Sequence, residues 1–445
     1  MKTDVLVIGG SAAGIVAGVT ARKHYPDKDI TLVRKEEKVL IPCGIPYTME
    51  TVDGPEENLI PDGAVTGKDI NLIIDEVVDI DRENKKVELD NGEDIFYEKL
   101  LLATGSIPIV PPIKGADLSG VYSVKKDFDM LKELKSKIED AKNLVIIGGG
   151  FIGIEFADEC RKKTDMNVTI VEMMDNILAL VCDYDFCRKA EESLKSNGVE
   201  IFKDSRVVEI LGEDEVSGVK LANGTELTAD VVILATGAKA NVSLAEKAGL
   251  DFDKRKGILV DNFMRTSDSD IFACGDCAEK PSFFGNNFAA ARLASIAGTE
   301  GRVAGANLFE LRREKKGSVG IFSTIIDDLA FGVAGLTKKQ AESADIPVVT
   351  GSAVSVNRHP GKMPGAAELG IVLVFRKYDC ILIGAQAYGD HSVGEFINIL
   401  GLAIEKKMTA EDLAIMQVGT QPALTASPVA YQIVNAAEDA VSKLR

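Results

Sequence analysis

The sequence predicts an α/β fold with two similar parallel-sheet domains followed by a smaller α+β region. A short apolar strand, a glycine-rich loop and a helix follow one another over residues 4–24, and the same order returns from residue 143. In each case a later apolar strand ends in Ala-Thr-Gly, at residues 103–105 and 235–237. From about Ser318 the glycine loops stop and strands alternate with helices, which predicts a third, different region.

Length, charge and cysteine content limit the functions open to this chain. Its 445 residues suffice for about three domains, and its net charge of −18 without a basic run argues against nucleic acid and membrane partners. The seven cysteines are scattered and odd in number, which favours a reducing compartment, so we expect a cytoplasmic protein. No apolar stretch reaches the ~20 residues that span a bilayer.

The first glycine loop lies between a strand at residues 4–8 and a helix that runs to about His24. A second strand at residues 29–33 completes a βαβ unit of the dinucleotide-binding, Rossmann-like type. Glycines let the backbone approach a pyrophosphate, whose charge rests on the helix N-terminus. A serine replaces the usual second glycine, so a plain strand–helix turn is the alternative. The loop consists of Gly9, Gly10, Ser11, Ala12, Ala13 and Gly14.

About 20 positions after such a glycine loop we expect an acidic residue that binds a ribose hydroxyl. This acidic residue is missing from the first unit. Arg34 occupies that place and is followed by Lys35, Glu36 and Glu37. Two interpretations stay open. Either Glu36 binds the ribose, or Arg34 contacts the adenosine ribose or phosphate.

A second glycine loop opens the next unit after a strand at residues 143–147. The strand at residues 168–171 follows it and ends at Glu172, whose carboxylate would accept bonds from both ribose hydroxyls. It would also repel a 2′-phosphate, so we expect NADH to be preferred over NADPH; the alternative is a solvated strand end. The repeat of the whole order predicts two dinucleotide sites. This loop is Gly148, Gly149, Gly150, Phe151, Ile152 and Gly153.

Cys43 lies in the stretch Leu-Ile-Pro-Cys-Gly-Ile-Pro-Tyr, where a loop is predicted to enter a helix. Pro46 suits the first helical position. The positive end of such a helix favours the thiolate, the reactive form of cysteine. A small buried cysteine beside a turn is the alternative, but the position between two nucleotide loops favours a reactive residue.

An acidic residue also follows the apolar strand at residues 271–273. Asp276, directly after Gly275, can bind a sugar-alcohol hydroxyl or a phosphate-bound water. The Cys-x-x-Cys spacing of Cys274 and Cys277 suggests a metal or redox site, but no second ligand pair accompanies it, so we predict no metal.

Taken together, these motifs resemble the pyridine nucleotide–disulfide oxidoreductases over essentially the whole chain. The resemblance implies tightly bound FAD in the first site, NAD(P)H in the second, and a C-terminal dimerisation domain that makes a homodimer. It divides the chain into a split FAD domain, an NAD domain and the dimerisation domain, at residues 1–111 with 241–317, 112–240 and 318–445. In the last of these we expect strands at 352–356, 371–375 and 381–385 and helices at 393–406 and 427–444.

The resemblance also implies roles for residues outside the glycine loops. Phe151 lies where the family places an aromatic gate over the flavin, and Glu155 would lie near the same site. The further residues that it assigns to the cofactors are Pro42, Cys43, Val78, Ala103, Thr104, Gly105, Gly237, Gly275 and Asp276.

Cys43, which has no second cysteine close after it, indicates the branch of the family. Members with a redox disulfide carry a second cysteine five positions on, where this chain has Thr48. The stretch resembles coenzyme A-disulfide and persulfide reductases, which implies reduction of a disulfide, persulfide or polysulfide of a coenzyme A-type thiol. One alternative is an NADH oxidase or peroxidase that reduces O2 or H2O2 through a Cys43 sulfenic acid. An alternative of another class is a flavin-based redox sensor.

The substrate and the proton donor are less sharply indicated. Arg22 and Lys23 stand where coenzyme A-disulfide reductases bind phosphates, with Tyr47 beside the cysteine; an ordinary basic helix end is the alternative. Gln421 replaces the catalytic histidine of the lipoamide dehydrogenase pattern, and glutamine cannot act as a general acid or base. His359 is the other candidate for proton transfer, or else a structural histidine in a turn.

Overall fold

The computed structural model describes residues 1–163, 165–285 and 292–444. The β-strands in these ranges are β1 (Lys2–Ile8), β2 (Ile30–Arg34), β3 (Val39–Leu40), β4 (Leu59–Ile60), β5 (Asn71–Ile74), β6 (Val77–Asp81), β7 (Lys86–Leu89), β8 (Asp94–Leu102), β9 (Ser106–Pro108), β10 (Val121–Ser123), β11 (Asn143–Ile147), β12 (Asn167–Val171), β13 (Val199–Phe202), β14 (Val207–Gly212), β15 (Val216–Leu221), β16 (Glu226–Thr228), β17 (Val231–Leu234), β18 (Ala238–Ala240), β19 (Phe252–Asp253), β20 (Gly257–Ile258), β21 (Ile271–Ala273), β22 (Ile321–Ile326), β23 (Leu329–Gly335), β24 (Val348–Val356), β25 (Glu368–Arg376) and β26 (Leu382–Gly389). The α-helices are α1 (Ala12–His24), α2 (Gly63–Thr66), α3 (Phe128–Asp140), α4 (Phe151–Arg161), α5 (Tyr184–Ser196), α6 (Ser243–Lys247), α7 (Ala294–Asn307), α8 (Lys338–Ser343), α9 (Val393–Glu405), α10 (Ala410–Ala414) and α11 (Gln432–Lys443).

The chain forms two units, each built from separate stretches of sequence. Unit 1 comprises residues 1–141, 213–216 and 236–318. Unit 2 comprises residues 142–212, 217–235 and 319–445. Unit 1 therefore contains the first glycine loop and Cys43, and unit 2 contains the second loop and the C-terminal region.

Unit 1 is organised around a sheet in the order β5-β2-β1-β8-β7-β6, with β21 beside β8. Strands β1, β2, β5, β8 and β21 are parallel, and Ile8, Leu102 and Ala273 share one register position at their carboxyl ends. Because parallel strands end at the same edge of a sheet, the loops that follow β1, β8 and β21 meet there. This edge holds the first glycine loop, the turn at residues 103–105 and the turn that carries Gly275 and Asp276.

Helices α1 and α7 pack against one face of this sheet at backbone contact. A Cβ atom at Gly305 would lie 2.3 Å from the Ala17 carbonyl oxygen, and one at Gly301 would lie 2.6 Å from that of Ala13. The two glycines therefore allow α7 to approach α1 closely. This packing fixes the start of α1 relative to the sheet edge.

Unit 2 contains two larger sheets beside the small sheet β14-β15-β16. Strands β17-β11-β12-β13 are parallel, and β22-β23-β26-β25-β24 form an antiparallel sheet that α9 and α11 cover. The C-terminal helix is so close that a Cβ atom at Gly351 would lie 1.8 Å from the Ala436 carbonyl oxygen. This helix begins at Gln432, not at residue 427, because Pro428–Ala430 form a 3₁₀ turn first. Across the described residues we find no helix with the length and apolar character to cross a bilayer.

Candidate functional site

The first glycine loop has the geometry of a phosphate cradle. Gly9 has a φ of +113°, and a Cβ atom there would lie 2.2 Å from the Ala103 carbonyl oxygen. A Cβ atom at Gly14 would lie 1.8 Å from the carbonyl oxygen of Gly9, so the start of α1 packs directly on the loop. No side chain caps α1, and its first turn has no acidic residue. Its N–H groups therefore fit the pyrophosphate of a dinucleotide.

The second loop repeats this geometry in unit 2. Gly148 has a φ of +112°. A Cβ atom at Gly153 would lie 1.9 Å from the carbonyl oxygen of Gly148. Helix α4 begins after Gly150 without a capping side chain or an early acidic residue, and the space beside Gly150 is open. Two dinucleotides therefore fit the chain, one in each unit.

Glu172 is buried at the end of β12 and braces the second loop. Its Oε2 accepts a hydrogen bond of 2.7 Å from the Gly149 N–H, and its Oε1 accepts one of 2.7 Å from the Met174 N–H. The alternative of a solvated strand end is therefore wrong. Its predicted role toward the ribose stays a prediction.

Arg34, at the corresponding place in unit 1, is bonded within the protein. Its Nε donates to the Glu36 carbonyl oxygen (2.8 Å), and its Nη2 forms a 2.5 Å ion pair with Asp62. The stem of the side chain lies on Gly10, where a Cβ atom would be 2.5 Å from the Arg34 Cδ. Arg34 thus holds the segment after β2 against the first loop. Lys35 is exposed and Glu36 is half-buried beside it.

The two Ala-Thr-Gly turns are joined by the antiparallel ribbon of β9 and β18. The Thr104 hydroxyl donates to the carbonyl oxygen of Asn241 (2.8 Å), and the Asn241 N–H donates to that of Gly105 (3.0 Å). On the other side, the Ile109 N–H donates to the Gly237 carbonyl oxygen (2.9 Å). Gly105 ends the Ala-Thr-Gly turn of the first repeat and Gly237 ends that of the second. The two glycines therefore belong to one structural feature. Val78 lies apart from it in β6, where its carbonyl oxygen accepts a bond from Lys247.

The turn after β21 brings Asp276 to the sheet edge. Its Oδ2 accepts a hydrogen bond of 2.8 Å from the Ser106 hydroxyl and lies 3.6 Å from the Lys126 ammonium group. Cys274 and Cys277 are fully buried, and burial raises the pKa of both thiols, so they stay protonated. The residues that the structure describes contain no group of three or more His, Cys, Asp or Glu that could hold a metal ion.

Cys43 is exposed, but the helix predicted to begin at Pro46 is wrong. Pro42–Gly44 and Pro46–Thr48 form two successive 3₁₀ turns. The Thr48 and Met49 N–H groups bond to the carbonyl oxygens of Ile45 and Pro46, three residues earlier, as in a 3₁₀ turn. A single turn carries little macrodipole, and the argument for a thiolate from a helix terminus no longer applies.

Asn58 holds the Cys43 turn in place through the short ribbon of β3 and β4. Its Nδ2 donates to the Ile41 carbonyl oxygen (3.0 Å), and the Ile41 N–H donates back to the Asn58 carbonyl oxygen (2.9 Å). A Cβ atom at Gly44 would lie only 2.0 Å from the Oδ1 of Asn58. From α3, the Lys135 ammonium group donates to the Thr48 carbonyl oxygen (3.2 Å). Neither residue is predicted from the sequence, since a lone polar residue in a loop or on a helix face carries no motif.

Phe151 and Glu155 lie on the first turns of α4 and contact β22. The Phe151 ring stacks on Phe322 with centroids 5.3 Å apart. Glu155 Oε1 accepts a hydrogen bond of 2.9 Å from the Thr324 hydroxyl. Burial raises the pKa of the Glu155 carboxyl to about 7, and Glu159 adds to the rise.

Comparison with known proteins identifies the family. The pyridine nucleotide-disulphide oxidoreductase profile matches residues 3–300, and the dimerisation-domain profile of the same family matches residues 321–430. The chain belongs to this family. The predicted family, its α/β fold and an NAD(P)H-dependent enzyme are thereby confirmed, and membership implies FAD together with a nicotinamide nucleotide.

Individual relatives point to two activities. The NADH oxidase of Methanocaldococcus jannaschii is 33% identical over 451 residues, covering 99% of each chain. The NAD(P)H coenzyme A polysulfide/persulfide reductase of Pyrococcus horikoshii is 31% identical over 396 residues, covering 87% of this chain and 88% of the relative. The solved structure of a NAD-dependent persulfide reductase from A. fulgidus is 32% identical with a TM-score of 0.91, covering 100% of this chain and 83% of that one.

In the dimerisation domain of this oxidoreductase, His359 lies against the segment that contains Gln421. The backbone N–H of His359 donates to the Pro422 carbonyl oxygen (3.1 Å). The ring nitrogen Nδ1 of His359 lies 3.0 Å from the Thr425 carbonyl oxygen. A carbonyl oxygen can only accept, so Nδ1 carries the proton and Nε2 is left for exchange. Gln421 is exposed and its Oε1 accepts from the Ala423 N–H (2.7 Å), which makes it a brace of this turn.

The predicted substrate residues have different settings in unit 1. The Arg22 guanidinium group donates to the carbonyl oxygens of Pro26 (2.8 Å), Lys28 (2.7 Å) and Asp69 (2.6 Å). It therefore fastens the end of α1 to its surroundings. Lys23 is exposed and Tyr47 is half-buried. A role of these residues toward coenzyme A phosphates stays a prediction.

Replacing Glu155 with glutamine is expected to change how stability depends on pH. The pKa of this carboxyl is about 7 in the folded chain, against its ordinary value of 4.5. Between these two values the unfolded state has lost a proton that the folded state keeps, so the wild-type free energy of unfolding falls as the pH rises. Because glutamine does not titrate, the Tm of Glu155→Gln minus that of the wild type should increase over this window and level off above it. Thermal unfolding from about pH 4.5 to pH 8 measures this; a constant difference would contradict it.

Proposed function

We propose that this oxidoreductase uses NADH to reduce a disulfide, persulfide or polysulfide through Cys43, with a small coenzyme A-type thiol as the substrate class. The observation that carries the proposal is the exposure of Cys43, since five of the seven cysteines are buried and Cys380 is half-buried. Cys43 also lies in the unit that carries the first cradle. The persulfide-reducing relatives support the choice of acceptor.

FAD would occupy the edge of the unit 1 sheet and NADH the second cradle. The first loop, the turn at Ala103–Gly105 and Asp276 would hold FAD, and the second loop with Glu172 would hold NADH. When bound, FAD accepts a hydride from NADH and delivers two electrons to sulfur. In domain terms, residues 1–111 and 241–317 would bind FAD, residues 112–240 NADH, and residues 318–445 would form the dimer.

The Cys43 thiolate would attack one sulfur of the substrate. A new S–S bond forms to Cys43 while the substrate S–S bond breaks, and the second sulfur leaves as a thiolate or hydrosulfide. Two electrons that originate from NADH, with a proton, then break the new bond. The reduced product leaves, and the Cys43 thiolate is restored.

His359 would supply a proton to the leaving sulfur, because Nε2 is its exchangeable nitrogen. Gln421 has no proton to exchange at neutral pH and would instead shape the turn around His359.

Exposed apolar side chains mark the dimerisation domain. They include Val354 and Val356 on β24 and Ile399 and Leu402 on α9. A second copy of this chain would cover them, which supports a homodimer.

A second candidate function is an NADH oxidase that reduces O2 or H2O2. It is favoured by the Methanocaldococcus jannaschii relative, which the chain matches over almost its whole length. Peroxide would then oxidise the Cys43 thiolate to a sulfenic acid with release of water, and two electrons would return it to the thiolate.

Steady-state NADH oxidation by the FAD-loaded protein distinguishes these functions. The anaerobic assay compares coenzyme A disulfide, coenzyme A persulfide and polysulfide, and a second assay in air contains none of them. Fast anaerobic turnover with a sulfur acceptor supports the proposal. Turnover in air alone supports the oxidase, and a single reduction of FAD without turnover would support a redox sensor instead.

Replacing Glu172 with alanine is expected to raise the KM for NADH and to weaken discrimination against NADPH. The substitution removes the acceptor of the Gly149 and Met174 N–H groups and the charge that would repel a 2′-phosphate. We expect the ratio of kcat/KM for NADH over NADPH to fall by about tenfold or more, the loss typical of one charged contact. Glu172→Gln, which keeps one acceptor oxygen, should show the loss of discrimination with a smaller rise in KM. A wild-type preference for NADPH would contradict the assignment.

A further inference from the structure

A fully buried cluster of three charged side chains lies beneath the turn that carries Asp276. Glu300 on α7 is 0% exposed, and its Oε2 and Oε1 lie 2.6 Å from the ammonium groups of Lys280 and Lys315. Lys280 and Lys315 are themselves buried. The cluster has a net charge of +1 inside the protein. Desolvating three charges is costly, and apolar side chains could fill the same space at no loss of stability.

The cluster bonds to both backbone groups of Gly275. Glu300 Oε2 accepts from the Gly275 N–H (2.9 Å), and the Lys280 ammonium group donates to the Gly275 carbonyl oxygen and to that of Ala278 (3.1 Å). Gly275 has a φ of +77°, and a Cβ atom there would lie 2.6 Å from the Ala13 side chain on α1. Gly275 therefore has no side chain that could fix its conformation, and charge-assisted bonds from below do so instead.

The next residue is fixed from the other side. Ser106 and Lys126 contact the Asp276 carboxylate at the sheet edge. The backbone dihedral angles of Gly275 set the direction in which this carboxylate leaves the turn. A shift of this turn would therefore move Asp276 away from the glycine loop that follows β1 and from the turn that follows β8.

We propose that Lys280 and Glu300 are positioning residues for FAD, which hold the Gly275–Asp276 turn in the conformation that binds the cofactor. The inference rests on the proposed placement of FAD at this edge. It explains why a costly charged cluster lies at this point of the core, where both backbone groups of a glycine need partners. Neither residue would contact the reacting atoms.

Lys280→Met is the informative substitution, because it leaves Glu300 paired with Lys315 and the cluster electrically neutral. It removes the donor to the Gly275 and Ala278 carbonyl oxygens together with the Lys280–Glu300 ion pair. We expect the Kd of the apoprotein for FAD, measured by quenching of flavin fluorescence, to rise by about tenfold or more, as for loss of a charge-assisted bond. Lys280→Arg, which keeps a donor in place, should recover most of the affinity.

A matched control breaks a half-buried ion pair in unit 2. Lys203 lies 3.0 Å from Glu191 and bonds to Asn176, remote in sequence from the turn. Lys203→Met likewise takes one lysine partner from a buried glutamate, and it should leave the Kd for FAD within about twofold, whatever its effect on the Tm of the apoprotein. Wild-type affinity in Lys280→Met, or an equal loss in Lys203→Met, would overturn the inference. The FAD-binding titration contains no sulfur acceptor, so its result does not depend on the proposed reaction. A wild-type apoprotein that does not bind FAD would refute the cofactor site itself.

Discussion

Cys43→Ser is expected to lower anaerobic turnover with a sulfur acceptor by at least about a hundredfold, the scale expected when a covalent nucleophile is lost. NADH should still reduce the bound FAD at close to the wild-type rate, because the second glycine loop and Glu172 lie in unit 2 and are unchanged. Serine has nearly the size of cysteine, but its hydroxyl does not ionise at neutral pH and forms no S–S bond. Stopped-flow absorbance of FAD measures the first half-reaction and steady-state NADH consumption measures the whole.

Cys380→Ser provides the matched control for this substitution. Cys380 is half-buried and follows β25 in a turn with a φ of +58°. Both half-reactions should be unchanged in that variant. Full turnover in Cys43→Ser would remove Cys43 from the mechanism, and loss of FAD reduction in the same variant would indicate a structural effect.

Gly14→Ala and Gly153→Ala are each expected to weaken binding of a different nucleotide strongly. The new Cβ atoms would lie 1.8 Å and 1.9 Å from the carbonyl oxygens of Gly9 and Gly148. Since backbone cannot yield as a flexible side chain does, the helix must move away from its loop and the phosphate cradle must open. Gly14→Ala should therefore be isolated with little FAD. Gly153→Ala should retain FAD, with a KM for NADH raised by about tenfold or more.

Two other glycines serve as controls for these substitutions. Cβ atoms at Gly63 in unit 1 and Gly394 in unit 2 would meet nothing within 4 Å. Alanine at either position should leave FAD content and the KM for NADH unchanged. If Gly153→Ala lost FAD and Gly14→Ala kept it, the assignment of the two cradles would be reversed.

The cradles could be predicted from the sequence because their causes are local. An apolar run of five residues followed by closely spaced glycines specifies a buried strand and a tight turn, and no distant residue is needed to read it. Glu172 follows from the same logic, since it ends the next strand of the unit. Even here the sequence did not predict that its carboxylate bonds to the loop itself.

The remaining parts of the site depend on pairings between distant residues. Phe322 and Thr324 contact Phe151 and Glu155 from a hairpin that carries no nucleotide motif. The bonds from Lys280 and Glu300 to Gly275 depend on how α7 packs, which periodicity does not reveal. The helix predicted after Cys43 is absent because the Thr48 and Met49 N–H groups bond three residues back, which a proline at the first position does not reveal.

The most direct test of the central claim is the mass of the Cys43 peptide after the oxidised protein meets a sulfur substrate. We predict a sulfur or thiol adduct on Cys43 that disappears when NADH is added anaerobically and that does not form on Cys380. A Cys43 peptide of unchanged mass during turnover, or an adduct that NADH does not remove, would contradict the account.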